Sequence, residues 1–311
     1  VSDWKERLNG DPTDWLLDGG DPSVRYLTLV DLLDVKRESG EALDALDEVM
    51  ESGPVEKLLR SQQPGGHWGR EEDFYNRSKY RGTVWNVSLL AEMGADPRDE
   101  RVKRAGEFVL RWSQGSGGGF GHNGTPAGGK GLALSCLSGN MVWALSRLGF
   151  SDDPRTAKAR ERLVALVHGD GTGFSRGRCV PCRSGAVKVL KALHEHVGSE
   201  DEAAAVSELR ERVALECLQG RGPRPEWYDV WFPLFWNTDL VEIIDLLGLT
   251  GGLIPEAGRA LELILSKQDE KGRWALERSF RGRCLVSFDP PGRPSRWATL
   301  RALRMLKHVA P

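Results

Sequence analysis

Gln62-Gln-Pro-Gly-Gly66-His-Trp68, Gln114-Gly-Ser-Gly-Gly118-Gly-Phe120 and Gln268-Asp-Glu-Lys-Gly272-Arg-Trp274 share one spacing, Gln-x-x-x-Gly-x-aromatic. A Gln side chain can bond the orphan backbone groups at a helix end, glycine takes a tight turn, and the aromatic ring packs on whatever follows. Gly171-Thr-Gly173-Phe174 and Gln219 read as degraded copies. The recurrence marks a repeat of about 50 residues, and repeats of that length are supersecondary units.

Each turn follows one amphipathic stretch and precedes another. The first series runs Leu43 to Gln62, Arg98 to Gln114, Arg155 to His168, Glu200 to Gln219 and Pro255 to Gln268, charged on part of its surface. These stretches are outer helices, the first broken at Gly53-Pro54, with a short helix from Trp4 to Leu8 as the sixth. The second series runs Arg25 to Leu33, Thr83 to Met93, Cys136 to Leu148, Cys182 to Val197, Asn237 to Leu247 and Arg296 to Val309. It is more apolar all round, and four of its members stop at Gly94, Gly149, Gly198 and Gly248, the residue type that accepts a left-handed cap. Six outer and six inner helices predict an all-α fold, an (α/α)6 barrel of six hairpins, in a single domain over 1–311. Inner-to-outer connections are short and outer-to-inner ones long (63–82, 115–135, 169–181, 220–236, 269–295), so the long loops gather at one end, the predicted functional face.

The 311 residues are 40% hydrophobic and 28% charged with net charge −2, a balance that excludes collagen-like and disordered chains. No apolar run reaches membrane-spanning length, and the opening Val1-Ser-Asp-Trp-Lys-Glu-Arg is too charged for a signal peptide, so a cytoplasmic protein is expected. Five cysteines suit reduced thiols or metal ligands better than a disulfide framework. The loop segments 70–82, 121–135, 169–183, 220–233 and 269–296 carry 17 Lys and Arg against 10 Asp and Glu, a net +7 on that face with −9 elsewhere. Together with converging helix N-termini this favours an anionic head group on a ligand, with Arg281 and Arg283 among the contributors; a solvated basic loop is the plain alternative. No nucleic-acid motif is present, and the bulk of the chain is acidic.

The Gln/Gly/aromatic turns resemble the glutamine–tryptophan repeats of the squalene-hopene cyclase and protein prenyltransferase β-subunit superfamily, whose members are α/α toroids. The resemblance spans nearly the whole chain and carries over Gln62, Gly66, Trp68, Gln268, Gly272 and Trp274 as structural positions. It implies a terpenoid cyclase or prenyltransferase type of activity on an isoprenoid-like or other elongated apolar substrate in a central cavity. The Asp-x-Asp-Asp acid motif of the squalene cyclases and the Asp-Asp-x-x-Asp magnesium motif of ionising terpene synthases are not in the sequence; Asp152-Asp153-Pro154 sits in a short loop at the opposite end. Protein prenyltransferases bind zinc and usually need a separate helical partner subunit. Whether this chain has a protein partner or self-associates is not read from its sequence.

Several residues carry candidate chemistry. Cys179-Val-Pro-Cys182 leads into an inner helix, Cys136 opens the neighbouring one, and His122 lies in the loop before it. Three thiolates and an imidazole suit Zn²⁺, with His67 in reserve; small buried thiols and a solvated histidine are the alternative. A zinc enzyme that activates a thiol, as the α/α-barrel lanthionine cyclases do, would keep one position open, with Cys182 as a reacting group. Cys136, Asn140 and Trp143 share a helix face. If Phe232 and Trp236 continue as helix, Asp239 lies on their face and becomes a general acid beneath aromatic rings; otherwise it complements the helix dipole near an Asn237 cap. Trp85, Trp143, Trp231, Trp236 and Trp297 lie on or beside inner helices, where they either line a cavity able to hold an apolar chain and stabilise a carbocation, or are simply core. A non-catalytic binding or scaffold toroid is the third function class.

Overall fold

The computed structural model describes residues 4–72, 75, 79–125, 127–169, 182–219 and 222–310. The chain is mostly helical, and its helices are α1 (Thr13–Leu17), α2 (Pro22–Leu27), α3 (Gly40–Glu51), α4 (Gly53–Arg60), α5 (Thr83–Glu92), α6 (Glu100–Trp112), α7 (Ser135–Leu145), α8 (Pro154–Val167), α9 (Arg183–His194), α10 (Glu200–Val213), α11 (Leu240–Leu249), α12 (Gly258–Leu265) and α13 (Arg296–Val309). Short π turns extend α2, α7 and α10, and Trp4–Arg7 forms a 3₁₀ turn. Contacts divide the chain into two compact units, one of Val1–Glu56, Val213–Gly282 and Val286–Pro311, the other of Lys57–Arg212 and Arg283–Leu285.

Within the first unit the inner helices α2, α11 and α13 run parallel. Asp21 at the start of α2 meets Trp297 at the start of α13, while Lys307 near the end of α13 meets the carbonyls of Asp31 and Leu32 beyond α2. Asp239 caps α11 and pairs with Arg301, and Asp245 one turn before its end pairs with His308. The second unit repeats the arrangement with α5, α7 and α9. A Cβ on Gly185 would come 2.5 Å from Ser135 Oγ, which brings the starts of α9 and α7 together, and Arg147 beyond α7 pairs with Glu195 beyond α9. In each unit the long connections therefore enter at the inner-helix N-termini.

The repeated turn is one physical stitch made three times. Gln62 Nε2 donates to Arg101 O (2.9 Å), Gln114 Nε2 to Arg155 O (2.7 Å) and Gln268 Nε2 to Arg7 O (3.1 Å), each reaching the first residues of the next outer segment. Gly66, Gly118 and Gly272 all have φ between +70° and +87°, and a Cβ at any of them would strike the backbone of Arg104, Lys158 or Gly10. The aromatic residue's own N–H donates to a hydroxyl on the following inner helix: Trp68 to Thr83, Phe120 to Ser138, Trp274 to Thr299. Both indoles also donate back to their own outer helix, Trp68 to Leu58 O and Trp274 to Ile264 O. Gln268 ties the last outer helix to the N-terminal segment within the first unit. Asp99 and Asp153 cap α6 and α8, each holding the guanidinium of the Arg two residues on, whose carbonyl takes the Gln.

The loop 115–135 is not wholly irregular. Strands β1 (Gly121–Thr125) and β2 (Gly128–Ala133) pair antiparallel across a tight turn, a small hairpin inside an otherwise helical fold. Gly129 lies so close to the end of α6 that a Cβ there would strike Ser113 O, and its N–H donates to Gln114 O at 2.8 Å. The hairpin is thus held by the helix behind it, which no local alternation of residues announces. The stretch before α11 is another departure: Phe232 and Trp236 are not helical, and α11 begins only after Asp239. No helix among the described residues is long and apolar enough to cross a membrane.

Candidate functional site

The first unit places two aspartates three residues apart in opposite surroundings. Asp21 is the N-cap of α2: its Oδ1 accepts from the N–H groups of Ser23 (3.0 Å) and Val24 (3.2 Å), with Pro22 at the first helical position, where no N–H is needed. Its Oδ2 accepts from the Trp297 indole at 2.9 Å. Burial pushes the Asp21 carboxyl above the usual carboxylate range and the nearby Asp289 carboxylate pushes the same way, against the N–H donors of Val24, Trp297 and Ser23. Asp18 is exposed instead. Its two oxygens accept from Arg296 at 2.8 Å each and one also accepts from Gly20 N, so its carboxyl lies below the usual range, with the Gly20 N–H the largest cause.

The indole that meets the higher of the two belongs to an aromatic cluster. Trp297 stacks on Phe232 with centroids 4.2 Å apart and an interplanar angle of 11°, and the edge of Phe288 meets both rings. Ser23 Oγ is buried with no hydrogen-bond partner among the described residues. Beside Asp18, Trp15 lies between the guanidinium groups of Arg273 (4.3 Å) and Arg296 (4.7 Å), and Asp289 accepts from Arg296 N. One carboxyl raised above the ordinary range near another lowered below it is the pattern that separates acid from base roles in enzymes.

Asp239 occupies the same position on α11 with the opposite neighbours. One oxygen accepts from Glu242 N (2.9 Å) and Arg301 Nη2 (2.8 Å), the other from Trp231 N (3.0 Å) and Arg301 Nη1 (2.8 Å). The helical face proposed to carry Phe232, Trp236 and Asp239 does not form, because Asp239 itself starts the helix and Asn237 turns back to accept from Phe235 N. Of the expected substrate residues here, Trp297 is buried in the aromatic stack, and Trp231 is half-buried with Arg278 over its ring and its indole on Glu226 O. Trp236 is 41% exposed and Arg281 is exposed.

In the second unit Trp85 is buried, stacked on Tyr75 at 4.8 Å, with Tyr80 tilted against it and its indole on Tyr75 O. Arg283 lies 6.0 Å from the Tyr80 ring, and Arg81 donates to Arg283 O. Asn140 and Trp143 are buried on α7, and the ring of Trp143 already carries a cation, Lys191 Nζ at 3.5 Å, which in turn pairs with Glu92. Cys182 is the N-cap of α9, and a Cβ on Gly185 would approach both its Sγ (3.0 Å) and Ser135 Oγ (2.5 Å), next to Cys136. His122 sits on β1, 6.4 Å from Tyr75, its Nδ1 buried with no hydrogen-bond partner among the described residues. Cys179 and the degraded repeat at Gly171–Phe174 lie outside the described residues. Among the described residues no three His, Cys, Asp or Glu side chains come together as a metal site. His67 is committed to Gly69 O through Nδ1 and rests on Phe108.

Sequence reasoning missed Asp21. Asp18-Gly-Gly-Asp21-Pro22 announces a cap by its Asp-Pro step, but the indole that donates to the carboxyl comes from 276 residues away.

No family model and no curated protein matches the chain. Among solved structures, type II terpene cyclase MstE from Scytonema is similar at 15% identity and TM-score 0.35, covering 85% of this chain and 97% of that one. The same cyclase in a variant solved with geranylgeranyl dihydroxybenzoate gives 14% identity and TM-score 0.33, covering 86% and 98%. A protein from Actinoplanes gives 14% and 0.31, covering 83% and 97%.

Proposed function

We propose that the chain is a terpenoid cyclase-like enzyme acting on an isoprenoid-like or other elongated apolar substrate, with Asp21 as its proton donor. One observation carries the reading: a carboxyl raised by burial and by Asp289 lies at an inner-helix N-terminus, at the N–H edge of a tryptophan that stacks on Phe232. The Asp21 O–H bond breaks as a C–H bond forms on an alkene carbon; the new carbocation faces aromatic π-systems, and the carboxylate left behind keeps the N–H donors of Ser23, Val24 and Trp297. The cation then loses a proton to water or a base, so the step is an isomerisation or cyclisation with no net consumption of acid. The stitch made three times between successive outer segments supports the reading of the scaffold as an (α/α)6 toroid.

The test is incubation with geranylgeraniol and with geranylgeranyl diphosphate, followed by mass analysis of extracted products. Cyclised product from wild type that disappears in Asp21→Asn and persists in Asp18→Asn supports the assignment; equal product from Asp21→Asn removes it. A larger thermal stabilisation by the diphosphate, erased by reversing the charge at Arg281 and Arg283, supports an anionic head group.

A second reading, a zinc-dependent thiol-activating enzyme, is favoured by the orphan Nδ1 of His122 on the strand pair leading into α7, whose second residue is Cys136. It needs Cys136, Cys179 and Cys182 together with His122, and about one zinc per purified chain, lost in Cys136→Ala. Metal-free protein removes it. A binding or scaffold toroid is the outcome if substrates stabilise the protein and no product forms.

A further inference from the structure

Inner helices α7 and α9 of the second unit pack side by side with their backbones in contact. A Cβ on Gly139 would lie 2.6 Å from the carbonyl of Lys188, and one on Gly185 would lie 2.5 Å from Ser135 Oγ. Further along the seam, Lys191 Nζ sits 3.5 Å from the Trp143 ring and Arg147 pairs with Glu195 at 3.1 Å. Both contacts set one register, in which a residue of α9 faces the residue of α7 that lies 48 earlier in the chain.

Cys136, Asn140, Trp143 and Arg147 recur at helical spacing, so Cys136 lies on the face that makes these contacts. The register carried to the helix starts puts Cys136 level with Ser184, two residues past Cys182, the N-cap of α9. Two residues are about 3 Å of axial rise. The Cys182 side chain turns into the seam: its Sγ lies 3.0 Å from the place of a Gly185 Cβ, the same point that Ser135 Oγ crowds from α7. A disulfide needs Cα atoms less than about 7 Å apart, a separation that helices packed on glycine provide.

Access separates these two thiols from the others described. Cys217 and Cys284 are buried, and burial pushes the Cys284 thiol up to about 12. Cys136 and Cys182 are half-buried and sit at helix starts, whose positive ends favour the thiolate that attacks a disulfide.

We propose that Cys136 and Cys182 are a redox-responsive pair that closes into a disulfide across the α7–α9 seam on contact with a low-molecular-weight disulfide of the glutathione class. One thiolate attacks the glutathione disulfide and releases one glutathione thiolate; the other then displaces the second glutathione from the mixed disulfide. Two protein thiols are oxidised, and one glutathione disulfide is reduced to two glutathione thiols, which take up the two protons. The pair is independent of Asp21, and its disulfide and a bound zinc exclude one another on these sulfurs.

The test is incubation of the full chain and of Cys179→Ser with oxidised glutathione in the presence of EDTA, then alkylation, trypsin digestion and mass spectrometry. Both proteins are expected to yield a peptide of residues 131–147 linked to one of residues 179–183, lost on treatment with dithiothreitol. Cys136→Ser and Cys182→Ser should instead keep glutathione on the thiol that remains. The oxidised chain should melt roughly 5 °C higher than the reduced one, a difference absent from Cys136→Ser. Cys136 left free after oxidation, a wild-type disulfide that joins Cys182 to Cys179, no linked peptide from Cys179→Ser, or an oxidised chain that melts lower than the reduced one overturns the proposal.

Discussion

The N-termini of α2 and α11 are built alike and behave differently. Each begins at an aspartate whose Oδ1 caps the helix, and each turns its Oδ2 toward α13. At α11 that oxygen meets Arg301, which brings a full positive charge to a fully buried carboxylate. At α2 it meets the neutral indole of Trp297, with Asp289 adding negative charge. The same local motif is therefore a structural anchor in one place and a candidate acid in the other. What decides is the residue α13 presents, Trp297 or, four positions on, Arg301.

The largest effect expected from breaking this contrast is at the anchor. Asp239→Asn leaves Arg301 buried without its counter-charge and should cost about 3–5 kcal/mol of unfolding free energy, read by urea denaturation. Asp21→Asn keeps an oxygen for Ser23 and Val24 and loses only the indole bond, so its cost should be about 1 kcal/mol. Equal losses in the two variants would mean that the two sites are not distinguished by their partners.

The second comparison is by pH. A carboxyl whose folded-state value is raised holds its proton longer in the folded than in the unfolded chain, so folding takes up a proton in the interval between the two values. Stability from Asp21 is thus fully present below the ordinary carboxylate value of 3.8 and is lost as pH rises through the raised value. Wild type should lose ground to Asp21→Asn across that interval, measured as the difference between their melting temperatures. A flat difference would show that Asp21 is ionised as readily in the folded chain as in the unfolded one.

Much of the scaffold was legible in the sequence because its signals are local. The inner helix expected from Arg296 to Val309 is α13 at both ends, and that expected from Thr83 begins there and ends one residue early. The break near Gly53-Pro54 separates α3 from α4. The Gln/Gly/aromatic turns were legible for the same reason, since the hydrogen bonds that close each turn span only a few residues. The start of α11 was misread by three residues, because Asn237 and Asp239 are both good caps and only Arg301 and Trp231, brought in by packing, select the second. The contrast between the two caps was not legible for a related reason. Aromatic spacing pointed to Asp239, whereas the electrostatic difference between Asp21 and Asp239 is made by α13 and by the loop that carries Asp289, neither of which is near Asp21 in sequence.

Trp297→Phe sharpens the comparison further. Phenylalanine keeps the ring against Phe232 but removes the N–H that favours ionised Asp21, so the carboxyl should rise again while stability falls by about 1–2 kcal/mol from the lost bond and the smaller ring. The expected reading is a carboxyl infrared band that persists to higher pH than in wild type.

The smallest effect concerns Asp289, the partner that makes Asp21 unlike Asp239 in charge. Asp289→Asn preserves an oxygen for Arg296 N and removes the negative charge that raises Asp21. The Asp21 carboxyl should therefore titrate lower, and because burial is the larger cause it should still remain above 3.8. The protein should gain at most about 1 kcal/mol near neutral pH, since a partly screened carboxylate pair is relieved. If Asp21 supplies the proton in the reaction, the alkaline limb of the pH–rate profile, where the rate falls as Asp21 loses its proton, should move to lower pH with it, while the rate at low pH stays close to wild type. A carboxyl band and a rate profile that both stay in place would leave burial as the whole cause of the shift. A band that moves without the profile would separate Asp21 from the chemistry while leaving its electrostatics as described.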